Sequence, residues 1–237
     1  MSLQHENENL VIVVAGCSGS GKSTTANLIL LNGDFTCRFI FDPSGEYEER
    51  LGRRACYTAA EIYASIPTGF CIINPTFLFP GSDIAGTEAS QMAFEKVCEM
   101  VWIVSRKIRG QKIFLADEIW KFCTPNFIPV GLMSIIQNGR KNGIGLLATT
   151  QKPNKMNETI IGEATEFIGF RLEGRLLLQS VSRNMETFPA DELPSLLLVN
   201  KQRSHCIAQN RRSGVVRRYE LDFPTGKLRR LTTSVHV

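Results

Sequence analysis

Residues 10–15 form a short, unbroken apolar run, mostly β-branched and closed by a glycine, which is the pattern of a strand buried on both faces. The same signature returns at 38–41, 70–73, 112–116, 144–150 and 166–171. Between these runs the apolar positions change to helical spacing. They predict helices over 24–31, 58–65, 87–109, 130–141, 157–162 and 175–184. The longest of them carries Met92, Val97, Met100, Val101, Val104 and Ile108 on one stripe. The rest of 43–69 is mixed and punctuated by Gly and Pro, and 77–81 and 122–129 read as loops rich in Phe and Pro. Segments 204–209 and 215–221 read as a hairpin. Strands alternating with helices predict an α/β fold, a mostly parallel sheet covered on both faces. With no internal repeat or long linker, one core over 8–195 and a small basic, β-rich extension over 196–237 are expected.

The turn after the first strand carries the chemistry. Gly16, Cys17, Ser18, Gly19, Ser20, Gly21, Lys22 and Ser23 spell a complete G-x-x-x-x-G-K-[ST] loop, and Thr24 continues into the first helix, which Asn32-Gly33 can stop. Glycines let such a loop turn its backbone N–H groups toward phosphate oxygens, and the helix N-terminus adds partial positive charge. Lys22 is expected to reach the β- and γ-phosphates and Ser23 to hold Mg²⁺ through its hydroxyl. This pattern between a buried strand and a helix implies a nucleoside triphosphate site.

A second constellation closes the strand at 112–116, which runs into Asp117-Glu118. A carboxylate there can hold Mg²⁺ directly or through its waters, and the next can orient and deprotonate an attacking water. Gln151 follows the strand at 144–150; its amide can either cap that end or contact the water and γ-phosphate. Arg140 and Lys141 close the preceding helix, where cations suit the dipole. A role for Arg140 as an arginine finger is compatible with that placement.

Charge adds a partner class. The net charge of +4 hides nine basic against two acidic residues from 200 to 237, with a slightly acidic remainder. A basic segment of this kind suggests a polyanion, although a solvated surface has the same composition. Seven cysteines, odd in number and never in C-x-x-C spacing, give little support to a zinc site or a disulfide framework. They read as small buried residues, except Cys17, whose loop position leaves its thiol open to alkylation. His5, His205 and His236 are isolated. With no apolar run near the roughly 18 residues of a span and a polar, acidic N-terminus, a cytoplasmic protein without a membrane span is expected.

These segments, taken in order, resemble the FtsK–HerA superfamily of ring-forming ATPases within the RecA-like P-loop class. The resemblance rests on 16–23, on Phe41 to Tyr47, on Phe114 to Trp120, and on 137–145 and 146–153 in tandem. It implies ATP and Mg²⁺ as cofactors, Lys22, Glu118 and Gln151 as catalytic, and Ser23 and Asp117 as metal ligands. It makes Arg140 a finger acting on the neighbouring subunit, with Arg171 as second candidate. It also places the strand ending at Gln151 between the loop strand and the Asp117 strand. Only nine residues precede the first strand, which leaves no room for the N-terminal additions of cellular members. The expectation is therefore a minimal viral or phage packaging motor for double-stranded DNA, a homo-oligomeric ring of five or six, docked on a capsid or portal protein. Loops 77–82 and 122–129 are candidates to line its pore. A cellular HerA-like translocase is the nearest alternative. A small-molecule kinase is another, but it has no need of Glu118 and wants an arginine-rich lid. An ABC signature and a GTPase base-reading motif are both missing.

Overall fold

The computed structural model describes residues 10–84, 86–199 and 202–231. The acidic N-terminal residues with His5, Lys201 and the chain end with His236 lie outside them. Six parallel strands form the centre: β1 (Val11–Ala15), β2 (Cys37–Phe41), β3 (Phe70–Ile73), β4 (Lys112–Ala116), β5 (Ile144–Thr150) and β6 (Glu166–Phe170). Seven helices connect or follow them: α1 (Lys22–Asn32), α2 (Glu46–Leu51), α3 (Ala59–Ser65), α4 (Glu88–Ser105), α5 (Val130–Asn142), α6 (Glu158–Gly162) and α7 (Arg175–Asn184). The chain ends in β7 (Leu198–Val199), β8 (Arg203–Asn210), β9 (Val216–Asp222) and β10 (Lys227–Leu231).

The sheet order is β10-β9-β8-β6-β1-β5-β4-β2-β3, with β7 beside β8. From β6 to β3 all pairs are parallel; β8, β9 and β10 then add antiparallel strands to the β6 edge. The basic C-terminal segment therefore continues the sheet. As expected, β5 lies between β1 and β4. That order brings the C-terminal ends of the loop strand, the Gln151 strand and the Asp117 strand side by side, where α/β sheets bind ligands.

Alternation along the strands divides the core. Leu10, Ile12 and Val14 face α1 and α2 on one side, joined by Ile40, Leu115, Leu147 and Ile168. Val11, Val13 and Ala15 face α3 to α7 on the other, with Phe39, Phe114 and Phe167. Both faces are covered, which is why the central strands read as continuous apolar runs.

Three elements depart from the sequence expectation. The long helix ends at Ser105, short of 109, because Lys107 and Ile108 turn back to the carbonyls of Val104 and Ser105. Within the stretch read as irregular, α2 forms because Asp42, not an adjacent N-cap, takes the N–H groups of Tyr47 and Glu48 at 2.8 and 3.1 Å. The hairpin gains a third strand, β10, whose register pairs Arg229 with Glu220 and Leu228 with Leu221.

Candidate active site

Gly16 leaves β1 by donating to the carbonyl of Thr150 at 3.1 Å, and Cys17 donates to the carbonyl of Arg171 at 2.8 Å. The loop is thus suspended between the ends of β5 and β6. A Cβ on Gly16 would meet Phe170 Cβ at 2.6 Å, so no other residue lets the backbone pass. Gly21 has φ of 110°, and a Cβ there would meet Leu221 of β9 at 2.6 Å. The C-terminal strands therefore back directly onto the loop. Ser204 reinforces this by donating its hydroxyl to the Ser20 carbonyl at 2.7 Å. Lys22, Ser23 and Thr24 form the first turn of α1, where backbone N–H groups have no helical partner.

Lys22 is 5% exposed. Its ammonium donates to the Cys17 carbonyl at 3.1 Å and sits 3.5 Å from Glu118 Oε1. Glu118 lies just past β4 with φ of 48°, the single described residue other than glycine in the left-handed region. Its other oxygen, Oε2, accepts from the Trp120 indole N–H at 2.6 Å and from the Gln151 backbone N–H at 3.0 Å. Its own N–H donates to the Thr149 hydroxyl at 3.0 Å, and that hydroxyl donates onward to Asp117 Oδ1. One threonine thereby fixes both acidic residues.

Burial pushes the Asp117 carboxyl above the ordinary carboxylate range, partly opposed by the Thr149 hydrogen bond, with Glu118 adding to the rise. A desolvated carboxylate at a strand end beside this loop could hold a cation, with the Ser23 hydroxyl on the adjoining helix turn as a further oxygen donor. A protein-only cage is not required, and none of three or more His, Cys, Asp or Glu side chains occurs among the described residues. Tyr47 is buried nearby, and its hydroxyl is unpartnered among the described atoms.

Gly16 to Thr24, Lys22, Asp117, Glu118 and Gln151 are thus brought together. Arg140 is not. It occupies the last turn of α5, before β5 begins, while the loop meets the far end of that seven-residue strand. At about 3.3 Å per residue the separation is roughly 20 Å. Arg171 flanks the loop within its own chain and donates from Nε to Glu173 at 2.7 Å. Thr149 and Trp120 carry no motif of their own in the sequence. The pair Thr149-Thr150, closing an otherwise apolar strand beside an acidic strand end, is the available signal for the first.

Several other expectations receive a location. Six cysteines are buried and all seven are free; burial raises the Cys37 thiol to about 11 and those of Cys71 and Cys206 to about 12. In the first loop Phe77 is 69% exposed, with Leu78 also exposed. In the second, Phe122 is buried and packs edge-on to Phe41 and stacked on Phe94, so it anchors the core. In the basic segment Arg218 binds Glu192 through two nitrogens, and Arg229 reaches Glu220 at 3.2 Å. No described helix is long and apolar enough to cross a membrane.

No protein-family model matches the chain, and no curated protein matches it in sequence. Solved structures do share its fold. The genome packaging NTPase B204 of Sulfolobus turreted icosahedral virus 2, solved with AMP, has TM-score 0.66 at 14% identity, covering 89% of this chain and 96% of that one. The DNA-packaging ATPase B204 of Sulfolobus turreted icosahedral virus has TM-score 0.64 at 16% identity, over 90% and 97%. VirB4 of Thermoanaerobacter pseudethanolicus has TM-score 0.58 at 13% identity, over 85% and 87%. At these identities the likeness establishes the fold alone: a mostly parallel α/β sheet covered on both faces.

Proposed function

We propose that this chain is a Mg²⁺-dependent ATPase that drives double-stranded DNA, packaging a viral genome as a homo-oligomeric ring. The observation that carries the reading is the convergence of Lys22, Asp117, Glu118 and Gln151 on the loop between β1 and α1. The names of the neighbours that share the fold supply the substrate class. Lys22, already held against Glu118 Oε1, transfers its charge to the β,γ-phosphates when ATP binds. Ser23 and Asp117 would hold Mg²⁺, which neutralises developing phosphate charge. Freed from Lys22, Glu118 Oε1 accepts the proton of the attacking water. Gln151, whose backbone holds the other oxygen of Glu118, offers its side-chain amide to the γ-phosphate.

The kinase alternative gains nothing from these contacts, since a substrate hydroxyl as nucleophile needs no clamped glutamate. Arg140, roughly 20 Å from its own loop, acts on the site of the next subunit. Ring assembly is therefore part of the mechanism, and a ring of five or six encloses the duplex. The basic C-terminal segment, with Arg211, Arg212, Arg217, Arg218, Arg229 and Arg230, contacts its phosphates. The capsid or portal vertex is the docking partner of the same assembly. Mass measurement of the protein with ATP, Mg²⁺ and duplex DNA tests this reading. A closed ring that forms on the duplex is expected; a monomer under those conditions contradicts it.

A further inference from the structure

Glu118 is held more tightly than an acidic strand end requires. Its backbone adopts the left-handed conformation that non-glycine residues avoid, and its N–H is fixed by Thr149 at 3.0 Å. Its carboxylate then receives a donor that no hydrolysis motif calls for, the indole N–H of Trp120 at 2.6 Å. Trp120 comes from a short 3-10 turn, Ile119–Lys121, whose neighbours Ile119, Phe122 and Cys123 are buried in the core. Those three anchors fix the turn, and Trp120 itself is half-buried against the same core with its N–H turned to Glu118. Across the indole face lies the Lys152 ammonium, 4.3 Å from the ring centroid, and the Lys152 backbone N–H is bonded to the Thr150 hydroxyl at 3.0 Å.

We infer that Trp120 is a positioning residue for Glu118, and that Lys152 holds the indole in the working orientation. This rests on the hydrolytic reading given above. The indole N–H can only donate, and together with the Gln151 backbone N–H it ties down Oε2. Oε2 is occupied by Trp120 and Gln151, and Oε1 alone is left to face Lys22 and the reacting phosphate. Without the indole, Oε2 keeps a single tie, the Gln151 N–H, and misplacement of the carboxylate by about 1 Å costs on the order of 10²-fold in rate.

Trp120→Phe keeps an aromatic ring beside Lys152 and removes the donor, together with part of the indole's packing surface. Its kcat should fall about 10-fold to 10²-fold while the KM for ATP changes less than about 2-fold, the split expected when a transition-state interaction alone is lost. Trp120→His, which restores an N–H, should recover part of the loss. A second measurement does not depend on how that variant folds. Trp102 is the other tryptophan, so in a Trp102→Phe background the emission reports on Trp120 alone. That emission should shift when Glu118→Gln is added. Equal kcat in wild type and Trp120→Phe, or emission insensitive to Glu118→Gln, overturns the inference. A wild-type chain that does not hydrolyse ATP overturns the hydrolytic reading instead.

Discussion

Lys22 Nζ lies 3.5 Å from Glu118 Oε1, and both side chains are nearly buried, at 5% and 12% exposure. The pair joins the loop after β1 to the acidic strand end, and on the proposed reading ATP would compete with Glu118 for the ammonium. Glu118→Gln keeps shape and removes the competing charge. It should bind ATP at least as tightly as wild type while turnover falls on the order of 10² to 10⁴. Titration with labelled nucleotide and a phosphate-release assay check both halves. Parallel loss of binding would make Glu118 structural.

Asp117 should impose a pH signature on stability. Burial raises its folded-state pKa, so the native chain keeps that proton to higher pH than the unfolded chain does. The stability carried by the proton is complete below the ordinary carboxylate range and is lost as pH rises through the raised value. Asp117→Asn has no such titration. Its Tm relative to wild type should therefore climb across that window and level off above it, measured by thermal melts between about pH 4 and pH 8. A constant difference across the range would contradict this.

Arg140 should act between subunits. Arg140→Ala and Glu118→Gln proteins, each inactive alone, should regain part of the ATPase rate when mixed, because some interfaces then carry both groups. A finger contributes about 10³ to 10⁵ in rate. Full activity of Arg140→Ala by itself would end the assignment.

The arginines of the C-terminal strands should not be equivalent. Arg218 is tied to Glu192 at 2.8 and 3.0 Å, so Arg218→Ala should lower Tm more than it lowers DNA affinity. Arg211 and Arg212 follow β8 in the turn toward β9, both exposed. Their joint replacement by alanine should weaken binding to all duplexes alike and flatten the salt slope by up to about two units, near 0.9 per phosphate. An unchanged slope would favour a protein-docking role for this segment.

Much of the core was legible because its signals are local. Buried strands announce themselves as apolar runs, and Thr58, Thr87 and Asn157 sit at N-caps of the helices they were expected to open. What escaped depends on contacts across the fold. The α2 cap reaches forward from Asp42 to N–H groups five and six residues on, beyond the two or three residues that an N-cap side chain spans. β10 is an exposed edge strand of sequence Lys-Leu-Arg-Arg-Leu, whose adjacent arginines break the period of two, a weak pattern until β9 offers a partner. The Thr149 bridge exists only because β4 and β5 pair with Ala116 opposite Ala148, which aligns the next residues, Asp117 and Thr149. Loop motif and acidic pair were readable at once; the groups that hold them were not.

The most direct test is the rate of ATP hydrolysis by the purified chain with Mg²⁺, with and without duplex DNA, beside the Lys22→Ala variant. Lys22 is the ammonium positioned in the loop, so its loss should abolish turnover. The account predicts Mg²⁺-dependent hydrolysis that duplex DNA accelerates and Lys22→Ala eliminates. Near-normal hydrolysis by Lys22→Ala, or transfer of the γ-phosphate to an added nucleoside in place of water, would contradict it.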